Sequence, residues 1–197
     1  MAFIGIISDS KSEKIIKMIL NEKLDKDNNI IIINSKSVDN LKNIKFETVL
    51  IADNNNIIKE NKEALNKIVS NTKYLIINAD IELELHLEKE VELSVITFGF
   101  NPKATITASS VEDDILLCIQ RNIKDINENL IEQQEMKIRF FGENIGINTN
   151  NLMGISAILL LYGKISQQNW KKLTNYVDKT KKMLYNRYCT TNLIKEQ

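Results

Sequence analysis

Cysteine is scarce in this sequence, and histidine occurs only once. The two cysteines, Cys118 and Cys189, are far apart and match no metal-binding or redox spacing. The single histidine, His86, stands among alternating Glu and Leu residues, with no nearby Ser or Cys in a nucleophile arrangement. We therefore predict a solvated strand position for His86 and a core position for Cys118, which lies in an apolar run.

The sequence also lacks a net charge, because 26 Lys and Arg residues balance 26 Asp and Glu residues. A neutral chain has no overall field that attracts nucleic acid or an anionic membrane, so we predict neither as a partner. One acidic cluster contains Glu82, Glu84, Glu88, Glu90 and Glu92. Metal ligands usually converge from different segments, so this cluster indicates a solvated acidic face and we predict no metal site.

Long apolar runs are missing as well. The longest, Met153 to Tyr162, is interrupted by Gly154 and Ser156, and it is shorter than the roughly 20 residues of a membrane helix. No hydrophobic leader precedes the first predicted strand, so we expect a reducing, cytoplasmic location without membrane insertion. No linker rich in Pro, Ser or Gly divides the 197 residues, a length that suits one domain plus an appendage.

The apolar residues that are present alternate between strand-like and helix-like patterns. Short apolar runs predict strands at Phe3 to Ile7, Ile30 to Ile33, Thr48 to Ala52, Tyr74 to Asn78 and Val95 to Phe98. Helical spacing lies between several of them, as from Ile57 to Val69, whereas the alternation of polar and apolar residues from Glu82 to Val95 predicts extended, half-exposed chain. The alternation of strands with helical segments predicts an α/β fold with a mostly parallel, Rossmann-like sheet, flanking helices and right-handed crossovers.

Three further β-like runs follow, at Ala104 to Ser110, Ile115 to Ile119 and Glu135 to Phe141. We expect them to form a small antiparallel sheet, followed by a helix from Leu152 to Tyr162 that packs on the core. Residues 1–165 would form this domain and 166–197 a helical extension. The extension contains an amphipathic pattern from Gln167 to Tyr188. That helix could bind a protein partner or a second copy, or it could pack on its own core.

Three motifs, taken in order, resemble the central domain of Mur ligases and their folylpolyglutamate synthetase relatives. They are an N-x-D strand end at Tyr74 to Asp80, an I-T-F-G strand at Val95 to Asn101, and a turn before a small-residue helix at Gly146 to Asn151. The resemblance spans roughly Phe3 to Ile165. It implies a fold of the kind predicted above, and ATP-dependent amide bond formation through an acyl phosphate between a nucleotide-linked muramyl acceptor and an amino acid.

The loop after the first strand departs from that family, which has a glycine-rich phosphate loop ending in Gly-Lys-Thr. A phosphate loop needs glycines so that successive N–H groups converge on the phosphates, and a Ser or Thr after its Lys to hold magnesium. Here the chain keeps the pair Lys11-Ser12 but has no glycine after Gly5 in this loop. Asp9 would also place a carboxylate where the phosphates should lie.

This loop has two interpretations. In the first it is a plain strand-to-helix turn, with Ser10 and Glu13 forming a capping box and a helix that begins near Lys11. In the second it is a residual anion site, where Ser8, Ser10, Lys11 and Ser12 bind one phosphate or carboxylate at a helix N-terminus.

The turn before the late helix departs from the family too. The family's His-Asn is replaced by Ile147-Asn148. Asn151 stands where the resemblance implies an asparagine that contacts the adenine side, although an Asn at a helix start is more commonly an N-cap. Asn148 and Asn151 complete the candidate nucleotide-binding residues, and we predict no catalytic residue.

The resemblance covers only a central domain, without the two domains that flank it in the family. We therefore expect a non-catalytic, Mur-ligase-like protein that binds a partner protein or a nucleotide-linked metabolite, in cell-wall or spore-envelope biogenesis. No cofactor is expected, with weak ATP-Mg binding left open. The alternative is one subunit of a split ATP-dependent amide ligase that a partner completes.

Overall fold

The computed structural model describes residues 1–53, 59–85, 92–111, 114–139 and 148–165. The strands are β1 (Ala2–Ile7), β2 (Asn28–Ile32), β3 (Thr48–Ile51), β4 (Tyr74–Asn78), β5 (Ser94–Phe98), β6 (Ile106–Val111), β7 (Asp114–Ile119), β8 (Ile123–Lys124), β9 (Leu130–Ile131) and β10 (Gln134–Arg139). The helices are α1 (Ser12–Lys23), α2 (Val38–Leu41), α3 (Lys62–Ser70) and α4 (Thr149–Leu161).

Eight of these strands form one sheet in the order β10-β7-β6-β5-β4-β3-β1-β2. Neighbouring strands from β2 to β6 are parallel, whereas β7 is antiparallel to both β6 and β10. A second, two-stranded antiparallel sheet contains β8 and β9. The predicted α/β fold with a mostly parallel sheet and a small antiparallel sheet is confirmed.

The composition of the small sheet was predicted wrongly. The three runs expected to form it became β6, β7 and β10, which extend the main sheet, and β8 with β9 forms the separate pair. The physical reason lies on β7, where Ile115, Leu117 and Ile119 are buried in the same apolar cluster as α4. A separate sheet would have taken these side chains away from the main core.

Helices cover both faces of the sheet. On one face α1 and α4 contact each other, and their apolar residues form one cluster with alternate residues of the strands. On the other face α2 and α3 contact each other and bury Val38, Leu65 and Ile68 in a second cluster. Because α4 is buried along most of its length, the apolar run within it reflects a core helix. Among the described helices, none is long and apolar enough to cross a membrane.

Cys118 does not lie in the core, contrary to the prediction. Successive β7 residues point to opposite faces, and those on either side of Cys118 are buried, so its thiol is half-exposed. Burial, together with the carboxylate of Glu135, raises the pKa of this thiol. The predictions for His86, for the helix from Gln167 to Tyr188 and for the extension 166–197 lie outside the described residues.

Candidate functional site

The candidate residues lie at the carboxyl edge of the parallel strands. β1 lies between β2 and β3, and the helices that follow β1 and β2 pack on opposite faces of the sheet. The chain thus adds β2 on one side of β1 and then crosses over to add β3 on the other side. Open α/β sheets bind ligands at such a switch point, outside the carboxyl ends of the strands.

At this edge Asp9 caps the first helix. Its Oδ1 accepts hydrogen bonds from the backbone N–H groups of Lys11 at 2.9 Å and Ser12 at 3.1 Å, and its backbone carbonyl accepts one from Glu13 N–H at 3.0 Å. The predicted capping box of Ser10 and Glu13 is therefore wrong. The carboxylate one residue before Ser10 already holds the N–H groups that a capping side chain would bind.

The capping carboxylate of Asp9 is ionised at neutral pH. Partial burial raises its pKa, but hydrogen bonds from the side chain and backbone of Ser12 and from the backbone of Lys11 outweigh this and hold it below the ordinary 3.8. A negative charge at this position is stabilised by the partial positive charge of the helix N-terminus. The Asp9 carboxylate is itself the anion at this helix N-terminus, a position that can also bind a phosphate.

A buried hydrogen bond joins the two helix N-termini at this site. Asn151 Nδ2 donates to Ser12 Oγ at 2.6 Å, although the two residues are 139 positions apart. Ser12 is 3% exposed and Asn151 is 2% exposed. Since the Ser12 side chain also hydrogen-bonds Asp9, a polar chain runs from α4 through Ser12 to the cap of α1.

Asn148, rather than Asn151, is the N-cap of α4. Asn148 has extended backbone, with φ −86° and ψ 169°, and its Oδ1 accepts from Asn151 N–H at 2.7 Å. The interpretation of Asn151 as an N-cap is wrong, because the helix begins earlier than the apolar pattern indicates. Asn151 lies inside the first turn, so its side chain is directed to Ser12 and is not free to cap.

The structure brings together some of the six candidates and separates others. Ser12 and Asn151 meet in the interior, and Ser8 is buried directly after β1. Ser10 and Lys11 are exposed, as is the cap Asn148. A phosphate site would need the hydroxyls and the lysine to converge on one open space. Instead, the buried members are directed into the protein.

The first two motifs of the family resemblance also contact each other at this edge. Asn78 Nδ2 donates to the carbonyl of Ala52 at 3.1 Å, and Asn78 Oδ1 accepts from Asp80 N–H at 2.9 Å. The Asp80 carboxylate accepts from Phe100 N–H at 2.7 Å and Asn101 N–H at 2.8 Å. Asn78 and Asp80 thus tie together the ends of β3, β4 and β5, a role that the sequence motif alone did not reveal.

The carboxylates of Asp9 and Asp80 at this edge engage backbone donors and not each other. Within the described ranges, no group of three or more His, Cys, Asp or Glu side chains is arranged to hold a metal ion. Asp9 and Asp80 each accept two backbone N–H groups. The arrangement stabilises loops, and it presents the exposed side chain of Phe100 beside them.

A cavity of about 570 Å³ lies at the opposite, amino edge of the strands. Its lining includes Tyr74 and Ser94, the first residues of β4 and β5, together with Arg121 and Lys124. None of the six candidate residues lines it. Lys124 forms an exposed ion pair with Glu128 at 2.9 Å, an interaction that contributes about 1 kcal/mol or less.

The Asp9 cap makes a measurable prediction. We expect Asp9→Ala to lower the free energy of unfolding by about 1 kcal/mol, the usual cost of losing an N-cap. The folded-state pKa of Asp9 is below 3.8, so this contribution is present above pH 3.8 and disappears as pH falls through the folded-state value. Urea unfolding of both proteins at pH 7 and pH 3 should show the difference shrinking at the lower pH.

The matched control is Ser10→Ala, one residue further along the same loop. Ser10 is exposed, and its replacement should change the stability by less than about 0.5 kcal/mol. A loss from Ser10→Ala equal to that from Asp9→Ala would restore the capping-box interpretation and contradict the assignment of Asp9.

No protein-family profile matches the sequence, and no curated protein matches it. Solved structures do match, among them the UDP-N-acetylmuramoylalanyl-D-glutamyl-2,6-diaminopimelate--D-alanyl-D-alanyl ligase from Acinetobacter baumannii, with a TM-score of 0.52 and 12% identity. The match covers 88% of this chain and 46% of the ligase. At this identity the likeness shows the fold alone. The chain has a Mur ligase-like fold and spans about half the length of that ligase.

Proposed function

We propose that this protein is a non-catalytic, Mur-ligase-like binding protein in which the Asp9 carboxylate occupies the phosphate position of the fold. The observation that supports this most directly is the pair of hydrogen bonds from Lys11 and Ser12 N–H to Asp9 Oδ1, at 2.9 and 3.1 Å. These are the donors that a helix N-terminus offers to a phosphate. Because Asp9 engages these two N–H groups, they are not available to a phosphate of ATP.

Electrostatics supports the same proposal. A phosphate entering this loop would meet the ionised Asp9, whose pKa is held below 3.8. Two like charges about 4 Å apart repel by roughly 4 kcal/mol at an effective dielectric constant of about 20, close to a thousandfold in the dissociation constant. The repulsion would add to the loss of the capping bonds, so tight binding of ATP at this position is not expected.

The exposed aromatic residue at this edge supports a binding role. Phe100 has 55% of its surface exposed, and its backbone N–H is held by Asp80 at 2.7 Å. Aromatic side chains on a fixed backbone are typical anchors for a protein partner or a flat ring system, because they bury much area with little loss of entropy. We propose that a partner protein of the cell-wall or spore-envelope machinery, or a nucleotide-linked metabolite, contacts this edge.

Calorimetric titration tests the proposal. We expect no ATP hydrolysis and no ATP-Mg binding tighter than about 1 mM, whereas a muramyl-nucleotide precursor or a partner protein binds the carboxyl edge and binds more weakly to Phe100→Ala. Asp9→Gly removes the repelling charge and adds backbone freedom, so it should tighten ATP-Mg binding. ATP turnover by the wild-type protein that Lys11→Ala abolishes would overturn the proposal.

A second candidate is one subunit of a split ATP-dependent amide ligase. It is favoured by one observation, that the structural match covers 88% of this chain but 46% of the ligase. This candidate predicts ATP turnover only when a partner protein is added. Co-purification from the native host that recovers no second protein, together with an inactive pure chain, would count against it.

A further inference from the structure

The cavity at the amino edge of the strands lies beside a gap in the main sheet. β5 and β6 are parallel neighbours, but they pair at one position, Phe98 with Ile106. Phe98 is the last residue of β5 and Ile106 is the first of β6. The chain before β6 does not extend this pairing, because Thr105 N–H donates to the side chain of Thr97 at 2.9 Å. Among the described strands, none therefore pairs with the amino half of β5 on its β6 side.

The hydrogen bonds of β5 show which of its backbone groups face this gap. Ser94 N–H donates to the carbonyl of Lys73 at 3.0 Å, so Ser94 and every second residue after it face β4. Gly99 N–H donates to the carbonyl of Ile106 at 3.1 Å, on the opposite side. Val95, four residues before Gly99, directs its backbone groups to that same side. Within the described ranges, nothing hydrogen-bonds the N–H or the C=O of Val95.

The cavity beside this gap has the size of a small-molecule site. Its volume is about 570 Å³, within the roughly 300–1,000 Å³ that ligand pockets usually occupy. Val95, which is 49% exposed, lines it together with the buried side chains of Ile96 and Ile123. Arg121, just after β7, lines it as well. The cavity thus combines apolar side chains, an open backbone donor and acceptor, and a cation.

Arg121 is the charged lining residue that has no partner in the described part of the chain. Lys124 and Glu128 pair with each other at 2.9 Å, so their two charges largely cancel. Asp125 is 6% exposed, and its carboxylate accepts three hydrogen bonds from the turn between β8 and β9, at 2.8, 2.9 and 2.9 Å. Both carboxylates of the lining thus have donors of their own. The guanidinium of Arg121 is left to bind an anion, and its parallel N–H groups match a carboxylate.

Further donors accompany Arg121. Asn122 Oδ1 accepts from Gln133 N–H at 3.3 Å, which leaves the Nδ2 group of this lining residue as a donor. The Lys73 ammonium lies 4.9 Å from the centre of the Tyr74 ring, which also lines the cavity, and it adds positive charge at this edge. A bound carboxylate would therefore meet neutral and charged donors besides the guanidinium.

From these observations we propose that the cavity binds a short acylated peptide, with its terminal carboxylate on Arg121 and the residue before it paired with the backbone of Val95. One peptide residue offers an N–H and a C=O, the complement of the two open groups of Val95. Strand addition of this kind is a common mode of peptide recognition. A bare anion would match Arg121 alone, and an uncharged amide would match Val95 alone.

The smallest probe with this chemistry is N-acetylalanylalanine. Its first residue supplies the N–H and C=O for Val95, and its second supplies the carboxylate. For a ligand of about 14 non-hydrogen atoms we expect a dissociation constant of about 1 mM. Proton–nitrogen NMR spectra, recorded up to about 20 mM peptide, measure this value. The amide signal of Val95 should shift during the titration, and its hydrogen exchange should slow at saturation.

Arg121→Gln tests the carboxylate contact, and the C-terminal amide of the same peptide is the matched ligand without the charge. The wild-type protein should bind the acid about tenfold more tightly than the amide, the effect of one charge-assisted pair. Arg121→Gln should bind the two within about twofold of each other. Lys103→Gln removes the same charge at an exposed position that does not line the cavity, and it should keep the tenfold ratio.

Four results would overturn the proposal. The first is equal binding of acid and amide by the wild-type protein, and the second is a tenfold ratio that persists in Arg121→Gln. The third is acetate that shifts the Val95 amide and binds as tightly as the peptide, which would show a site for a bare anion. The fourth is an unchanged Val95 amide at about 20 mM peptide. None of these outcomes depends on whether the protein binds ATP or a partner at the carboxyl edge.

Discussion

Replacement of Phe98 by alanine is expected to lower the free energy of unfolding by about 4 kcal/mol, the largest loss that we predict for a single side chain. Phe98 is fully buried at the end of β5. A Cβ atom added at Gly154 would lie 3.1 Å from Phe98 Cζ, so the ring supports the backbone of α4 directly. A helix resting on the ring cannot easily collapse into the space left by its removal, and the cavity would persist.

The matched control for this change is Phe100→Ala, two residues further along the chain. Phe100 is 55% exposed, so its removal leaves no internal cavity and should cost less than about 1 kcal/mol. Urea unfolding monitored by circular dichroism compares the two variants. Equal losses would show that the packing of β5 against α4 contributes less to the free energy of unfolding than the contacts of Phe98 indicate. The same control bears on function, because Phe100→Ala should weaken partner binding without unfolding the protein.

Gly99→Ala is expected to lower the free energy of unfolding by about 3 kcal/mol. Gly99 has φ +143°, a conformation that residues with a side chain rarely adopt. Its added Cβ would lie 2.7 Å from Asp80 Oδ2, and that carboxylate is fixed by the N–H groups of Phe100 and Asn101. Backbone strain of about 1–2 kcal/mol and the weakening of the two hydrogen bonds would act together. Urea unfolding measures the sum.

A double-mutant cycle separates the two contributions. Asp80→Ala removes the carboxylate with which the new methyl group would collide. In that background Gly99→Ala should cost only the backbone strain, about 1–2 kcal/mol. If the costs of the two substitutions simply add, the steric conflict with Asp80 is not the cause, and strain at Gly99 alone would have to explain the loss.

The contacts of Asp80 bear on the family resemblance. The motif residues Asn78 and Asp80 hold the ends of three strands through backbone hydrogen bonds. Retention of these motifs therefore supports the fold, whereas the Asp9 loop supports the proposed loss of catalysis. The fold and the proposed function therefore rest on different residues in this chain.

The local sequence determined five of the parallel strands of the sheet. Short apolar runs separated by helical segments predicted five parallel strands, because burial on both faces requires side chains without charge. The sequence also showed a carboxylate, Asp9, in the loop after the first strand, where the resemblance implies that phosphates should lie. These features depend on residues that are near one another along the chain, so a local sequence pattern can predict them.

Only the tertiary structure decided how distant segments meet. Ser12 and Asn151 are 139 positions apart and hydrogen-bond each other, which no local pattern could show. Asn148 and Asn151 are equally good N-caps by residue type, and the packing of α4 determined which one caps. β6, β7 and β10 joined the main sheet, where their apolar residues form one buried cluster with those of α4. Local patterns fix periodicity and turn chemistry, whereas the pairing of faces depends on the free energy of the whole core.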